Sequence, residues 1–241
     1  MSPQSHGGAP RQGAGSALAV YLERPTLVMV ALGFSASLPY FLVFDTLSAW
    51  FRAEGLALEV IGFFSLVTLV SSFKFLWAPL IDRTAVPLLT TWLGHRRSWM
   101  LVCQSLIILG LWLIAGSDPT VSLGRIAIFA VLVGFSSATQ DIAIDAWRIE
   151  ATELERQGAM SASYQLGYRI ALIVAGAGCL YLAAEHGWRV AYLAMAGLAL
   201  VVAPLIEAGR LPVGTVVLGV VAALGVTDPT FSGDVTIASR C

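Results

Sequence analysis

Five ionisable side chains interrupt long apolar runs of this sequence: Asp45, Lys74, Asp141, Asp145 and Arg169. A charge inside a membrane-length apolar run is costly unless it is paired or hydrated, so each is a candidate for handling ions or substrate. Lys74 is also the sole lysine of the chain. Gly134, Ser137, Asp141, Asp145 and Arg148 step by 3, 4, 4 and 3. At about 100° per residue this keeps all of them within a sector of roughly 80° on one helix face. In lipid such a polar stripe must face protein or water. Gln165, Arg169 and Gly176 share a face of the next apolar run by the same arithmetic. Lys74 and Arg169 each lie about two turns from the same end of their runs, a depth similar to that of Asp141 and Asp145, so a salt bridge from Arg169 to the carboxylates is feasible. Asp45 lies toward the opposite end of its run.

Two readings of this charge cluster stay open. In one, the four groups neutralise each other and fix helix register. In the other, at least one carboxylate exchanges a proton, its pKa raised by low dielectric and lowered again when a cation approaches. Asp141 and Asp145, one turn apart, would then titrate as a pair. Asp141 is the deeper and the better proton carrier, and Asp145, three residues before Arg148, is the better structural partner. An intramembrane aspartyl protease would draw its two aspartates from facing helices, and the sequence has neither a Gly-x-Gly-Asp nor a Tyr-Asp motif. No catalytic residue is assigned. His6, His95 and His186 are far apart, and Cys103 and Cys179 sit in apolar runs, so no metal site is expected.

The elements that must position these groups follow from composition. The chain has 241 residues, of which 57% are hydrophobic and 12% charged, a balance that needs lipid as solvent. Lysine and arginine number 14 against 15 acidic residues, so no basic surplus points to nucleic acid. A crossing helix needs about 20 mainly apolar residues. Windows at 26–51, 59–81, 98–116, 125–147, 162–184 and 189–208 meet this, which predicts an all-α membrane protein with a six-helix bundle over 26–209. Residues 1–25 read as a disordered tail, and not as a cleaved signal, because the apolar run that follows them is too long for one. Residues 210–241 read as a hydrophobic segment, 211–226, open to being a seventh span, and a polar tail; a shifted reading frame or an incomplete gene accounts for that ending. Arginines distribute eight to three between the two sets of loops. The richer set contains Arg11, Arg24, Arg83, Arg96, Arg97, Arg148, Arg156 and Arg210, which places the N-terminus in the cytoplasm. Gly167, Ala171 and Ala175 recur every four residues, the small-residue spacing that lets two helix backbones touch.

Between the second and third windows the sequence reads Ala78-Pro-Leu-Ile-Asp82-Arg83, then ten residues, then Gly94-His95-Arg96-Arg97. This resembles the loop signature of the major facilitator superfamily, with Ala78 in place of the usual Gly and an insert that splits the motif. Phe73-Lys74-Phe-Leu-Trp77, Gly134 to Trp147 and Leu166-Gly-Tyr168-Arg169 are similar to segments of the AmpG-type muropeptide permeases, and the related acetyl-CoA transporters share part of the pattern. The resemblance, from about Leu32 to Tyr192, implies the N-terminal half of an inner-membrane symporter that imports anhydromuropeptides for cell-wall recycling. It implies no cofactor, the proton gradient as driving force, and a binding cavity shared with a second six-helix half. Asp45, Tyr40 and Gln140 are then candidates for hydrogen bonds to a glycopeptide, and Phe34, Phe41 or Trp50 for stacking on its sugars. Asp82, Arg83, Arg96 and Arg97 are candidates for a cytoplasmic gate, against the alternative of plain positive-inside anchoring. Homodimerisation of this half and an inactive truncated product remain the alternative readings.

Overall fold

Helix α1, Arg24–Ala53, starts after extended Glu23, with Pro25 in its first turn, where a missing N–H costs nothing. The computed structural model describes residues 20–207; the expectations for residues 1–19 and for 208–241, the seventh apolar segment included, lie outside the described residues. The described chain is helical with no strand, and continues from α1 through α2 (58–83), α3 (His95–Ala115), α4 (Leu123–Ala151), α5 (Leu154–His186) and α6 (Trp188–Glu207). Among the described residues, α1, α3, α4 and α5 are each long and apolar enough to cross a membrane.

Window and helix agree in place for all six rods, but α2 is not one continuous helix. It runs as Leu58–Phe64, Thr68–Ser72 and Ala78–Arg83, joined by tighter 3-10 turns at Ser65–Val67 and Lys74–Leu76. Pro79 accounts for the last break: it cannot donate to the carbonyl four residues back, and its ring would collide with that carbonyl. Lys74 sits in the turn just before it.

α1 runs through the middle of the bundle, packed on α5, α4 and α6, while α3 packs on α4 and α6. The α1–α5 contact is the closest. A Cβ at Gly167 would overlap the Val30 carbonyl, and one at Gly33 would overlap the Tyr164 carbonyl. Ala171 and Ala175 continue the contact fully buried. The small-residue face read from the sequence is thus the surface on which α5 meets α1.

Both helices widen to a π turn at the far end of this contact, Leu42–Thr46 in α1 and Val174–Gly178 in α5. A π turn leaves carbonyls short of their usual partners. Hydroxyls from neighbouring helices bond carbonyls in both turns: Thr46 donates to the Ala175 carbonyl at 2.8 Å, and Tyr192 of α6 donates at 2.9 Å to the Leu42 carbonyl, which also accepts the Leu47 N–H. Trp50 stacks on Trp188 with ring centres 5.9 Å apart, closing that end. α5 turns into α6 at Gly187, whose φ of +86° suits glycine, and whose N–H bonds the Ala183 carbonyl at 2.9 Å.

Candidate functional site

The stripe on α4 meets α2 and α5 at one depth. The Lys74 ammonium stands 3.9 Å from Asp141 Oδ2 and 4.0 Å from Asp145 Oδ2, between the two carboxylates. Asp145 also pairs with Arg148 Nη2 at 3.4 Å, one turn along α4. Tyr164 of α5 donates its hydroxyl to Asp141 Oδ1 at 3.3 Å. The α4 periodicity brings Asp141 and Asp145 to one side, and the 3-10 turn of α2 presents Lys74 to both.

Arg169 is the exception. The feasible salt bridge to the carboxylates is not formed: among the described residues Arg169 has no ion-pair partner and lies exposed on α5. Lys74 takes both carboxylates instead, because α2 packs against α4 directly. The neighbour of Arg169 on α5, Tyr168, has a half-buried ring. Phe41 holds that ring edge-on, with centres 5.2 Å apart.

Of the residues considered for hydrogen bonding to a ligand, Asp45 is exposed in the α1 π turn and Tyr40 is half-buried beside Phe44. Gln140 is turned into the packed interior. It donates to Ser35 Oγ at 3.4 Å; Ser35 in turn donates to Gln104 Oε1 at 3.0 Å, and Gln104 donates to the Ala199 carbonyl at 3.1 Å. This relay ties α4, α1, α3 and α6 together. The aromatic candidates Phe34, Phe41 and Trp50 are all core residues and offer no open ring to a sugar. Aromatic type and position in a window do not reveal which way a ring points on a helix buried on most sides.

At the arginine-rich end, Arg96 bridges three helices. Its Nη1 holds Asp82 at the end of α2, while Nε and Nη2 hold Glu150 Oε1 at 3.1 and 3.0 Å near the end of α4. His95 Nε2 lies 3.0 Å from the Ile81 carbonyl, and the Trp99 indole donates to the Thr84 carbonyl at 2.9 Å. Arg83 and Arg97 are exposed and have no ion-pair partner among the described residues. The sequence reading missed Glu150 and Tyr164. Glu150 lies beyond the 125–147 window, which follows hydropathy. The helix itself persists through Arg148-Ile-Glu150-Ala151, residues that favour helix whatever their polarity.

Comparison with known proteins now fits this geometry. The family model of the Major Facilitator Superfamily matches residues 60–215, well over half of the chain. The chain belongs to that superfamily. It is 38% identical over 182 residues to the anhydromuropeptide permease of Escherichia coli K12, covering 75% of this chain and 36% of the permease. It is 39% identical over 167 residues to AmpG 4 of Rickettsia felis, covering 68% of this chain and 40% of that protein. An uncharacterised Haemophilus influenzae protein is 39% identical over 170 residues, 70% of this chain and 39% of its own length. The chain thus spans about two fifths of the curated relatives it matches. The resemblance read from the four polar segments is the one these comparisons return, and the chain is a multi-pass membrane protein of a transporter superfamily.

Proposed function

We propose that this chain forms the first six-helix unit of a proton-coupled importer of anhydromuropeptides in a bacterial inner membrane, with its N-terminus in the cytoplasm. The observation that carries the reading is the partly exposed Lys74–Asp141–Asp145 cluster, whose carboxylates sit on the membrane-length helix α4. The likeness to the E. coli permease gives the substrate class. No cofactor is needed, because the proton gradient supplies the work. Nor does the reading include bond cleavage: Asp141 and Asp145 share the Lys74 ammonium in place of a scissile bond.

The chemistry follows from charge balance. With both aspartates ionised, Lys74 neutralises one and Arg148 the other. Protonation of Asp141 removes one attraction on Lys74 and leaves the Tyr164 hydroxyl with a weaker acceptor. α2 is then held to α4 mainly through Asp145 and the Trp77 indole, which donates to Thr139 Oγ1 at 3.1 Å. One proton thus loosens one helix contact, the coupling a symporter requires. Asp45, Tyr40 and Arg169 would meet the glycopeptide's hydroxyl and carboxylate groups, and Asp82 with Arg96 would close the cytoplasmic side.

The open polar face also argues for a second unit. Asp45 and Arg169 are exposed on membrane-crossing helices. A charge left in lipid costs about 3 kcal/mol or more, so this face is covered by another polar surface around water. A second six-helix unit does this, and a second copy of the chain is the alternative.

Proteoliposomes tell these readings apart. The whole chain is reconstituted alone and with the remaining part of the E. coli permease, and labelled anhydromuropeptide uptake is followed under an inward proton gradient. Accumulation in either preparation, lost in Asp141→Asn, is expected. Uptake in neither, with both proteins inserted, overturns the transport reading; uptake by the chain alone favours the homodimer.

A further inference from the structure

The loop signature at the arginine-rich end is split by an insert, 84–93, that the transport reading leaves without a task. It ends in the one-turn helix Leu89–Leu93. Leu88, just before that helix, has a φ of +65°, a backbone state that bulky side chains rarely adopt. The strain does not serve packing inside the protein: Leu88 is 83% exposed, and Trp92, one turn on, is 90% exposed. They are the most exposed large apolar side chains between α2 and α3, and the Trp99 indole bonded to Thr84 fixes the root of the insert to α3. Residue 95, where a strongly apolar crossing helix begins, is three residues from Trp92. The insert therefore lies at the depth where a membrane meets water, the layer in which tryptophan concentrates. Arg83 and Arg97 flank it, both exposed and both without an ion-pair partner among the described residues, in contrast to Arg96 between two carboxylates.

We infer that the insert 84–93 is a membrane-surface foot that selects anionic phospholipid: Leu88 and Trp92 enter the acyl region while Arg83 and Arg97 hold headgroup phosphates. An apolar pair beside unpaired cations matches an anionic lipid surface on both counts, and two free guanidiniums would be poorly matched to a purely apolar protein partner. The inference requires only that the chain spans a membrane and is independent of the cargo it moves.

The test uses the whole chain in vesicles whose phosphatidylcholine or phosphatidylglycerol carries bromine on the upper acyl chain, which quenches nearby indoles. The signal of Trp92 is the difference between wild type and Trp92→Phe, a conservative change at an exposed position. That difference signal should be quenched by brominated lipid and little by aqueous acrylamide, with phosphatidylglycerol preferred over phosphatidylcholine. Arg83→Gln and Arg97→Gln should each lower that preference about fivefold while quenching by brominated phosphatidylcholine persists. Absence of lipid quenching, with Trp92 met by water or by another protein, overturns the foot. Equal quenching by the two lipids in wild type overturns the headgroup selection.

Discussion

Lys74 has two carboxylates and each carboxylate has a second partner, so the cluster is unevenly exposed to mutation. Lys74→Met leaves Asp141 and Asp145 one turn apart with only Arg148 and the Tyr164 hydroxyl between them and like-charge repulsion. Removing one side of a buried ion pair costs about 3–5 kcal/mol, and these side chains are a third to a half exposed, so a loss of about 1–2 kcal/mol is expected. Thermal unfolding in detergent reads it, and adding Asp141→Asn to Lys74→Met should recover part of the loss. A second residue-scale prediction concerns the loop between α3 and α4. The Thr120 hydroxyl and backbone N–H donate to Asp118 Oδ1 at 2.7 and 2.8 Å and hold its carboxyl below the ordinary carboxylate value of 3.8. A depressed folded value means stabilisation that is present above the unfolded pKa and is lost as pH falls through the folded one. Thr120→Val should therefore lower the melting temperature at neutral pH, with the deficit vanishing as the pH drops below 3.8. At this scale the sequence was legible where charge is rare: one lysine and two spaced aspartates in apolar runs announce the cluster. Tyr164 and Gln104 were not legible, since a lone tyrosine or glutamine in a helix gives no sign of its partner until the helices are packed.

Helices carry the site because two of them touch backbone to backbone. Gly167→Ala should cost about 1–3 kcal/mol, because the new methyl meets the Val30 carbonyl and neither backbone can yield. Gly197→Ala in α6 has open space around it, so it should be neutral or add up to about 1 kcal/mol through helix propensity alone. Opposite signs for the two changes in thermal unfolding would show that close approach, and not flexibility, is what the α5 glycine provides. The paired π turns make a further prediction. Thr46→Val strips the donor from the Ala175 carbonyl and should cost about 1 kcal/mol, whereas Thr46→Ser should keep most of it. Spacing by four forecast the α5 face, and hydropathy forecast the membrane-length helices α1, α3, α4 and α5. The π turns stayed hidden because hydropathy is blind to backbone geometry, whereas the last break in α2 has a visible cause in Pro79 that a hydropathy window averages away.

The whole molecule is a bundle with one loosely held member. α1 is buried among α4, α5 and α6, whereas α2 is interrupted twice and exposes Leu66, Leu69, Phe73, Leu76 and Leu80. Its polar attachments to the rest include Lys74 to the α4 aspartates, Trp77 to Thr139, Asp82 to the arginine that also grips Glu150, and the Ile81 carbonyl beside His95, while Phe64 packs edge-on against Phe51. Regions with few buried contacts and interrupted backbone hydrogen bonds open first. Amides of 65–83 should therefore exchange with deuterium sooner than those of α1 or the 157–173 part of α5. Arg96→Gln removes one of the links between α2 and α4 and leaves two carboxylates without their shared cation. A loss of about 1 kcal/mol at this half-exposed network would speed exchange in 78–83 by roughly fivefold, and the effect should not reach α1. If Arg96→Gln instead accelerated α1 and α2 together, α2 would be a rigid part of the bundle, and coupling by release of one helix would fall with it. If only α2 responded, the Lys74 ion pairs and the arginine network at Asp82 would be two grips on the same movable rod, the arrangement that the proposed transport cycle needs.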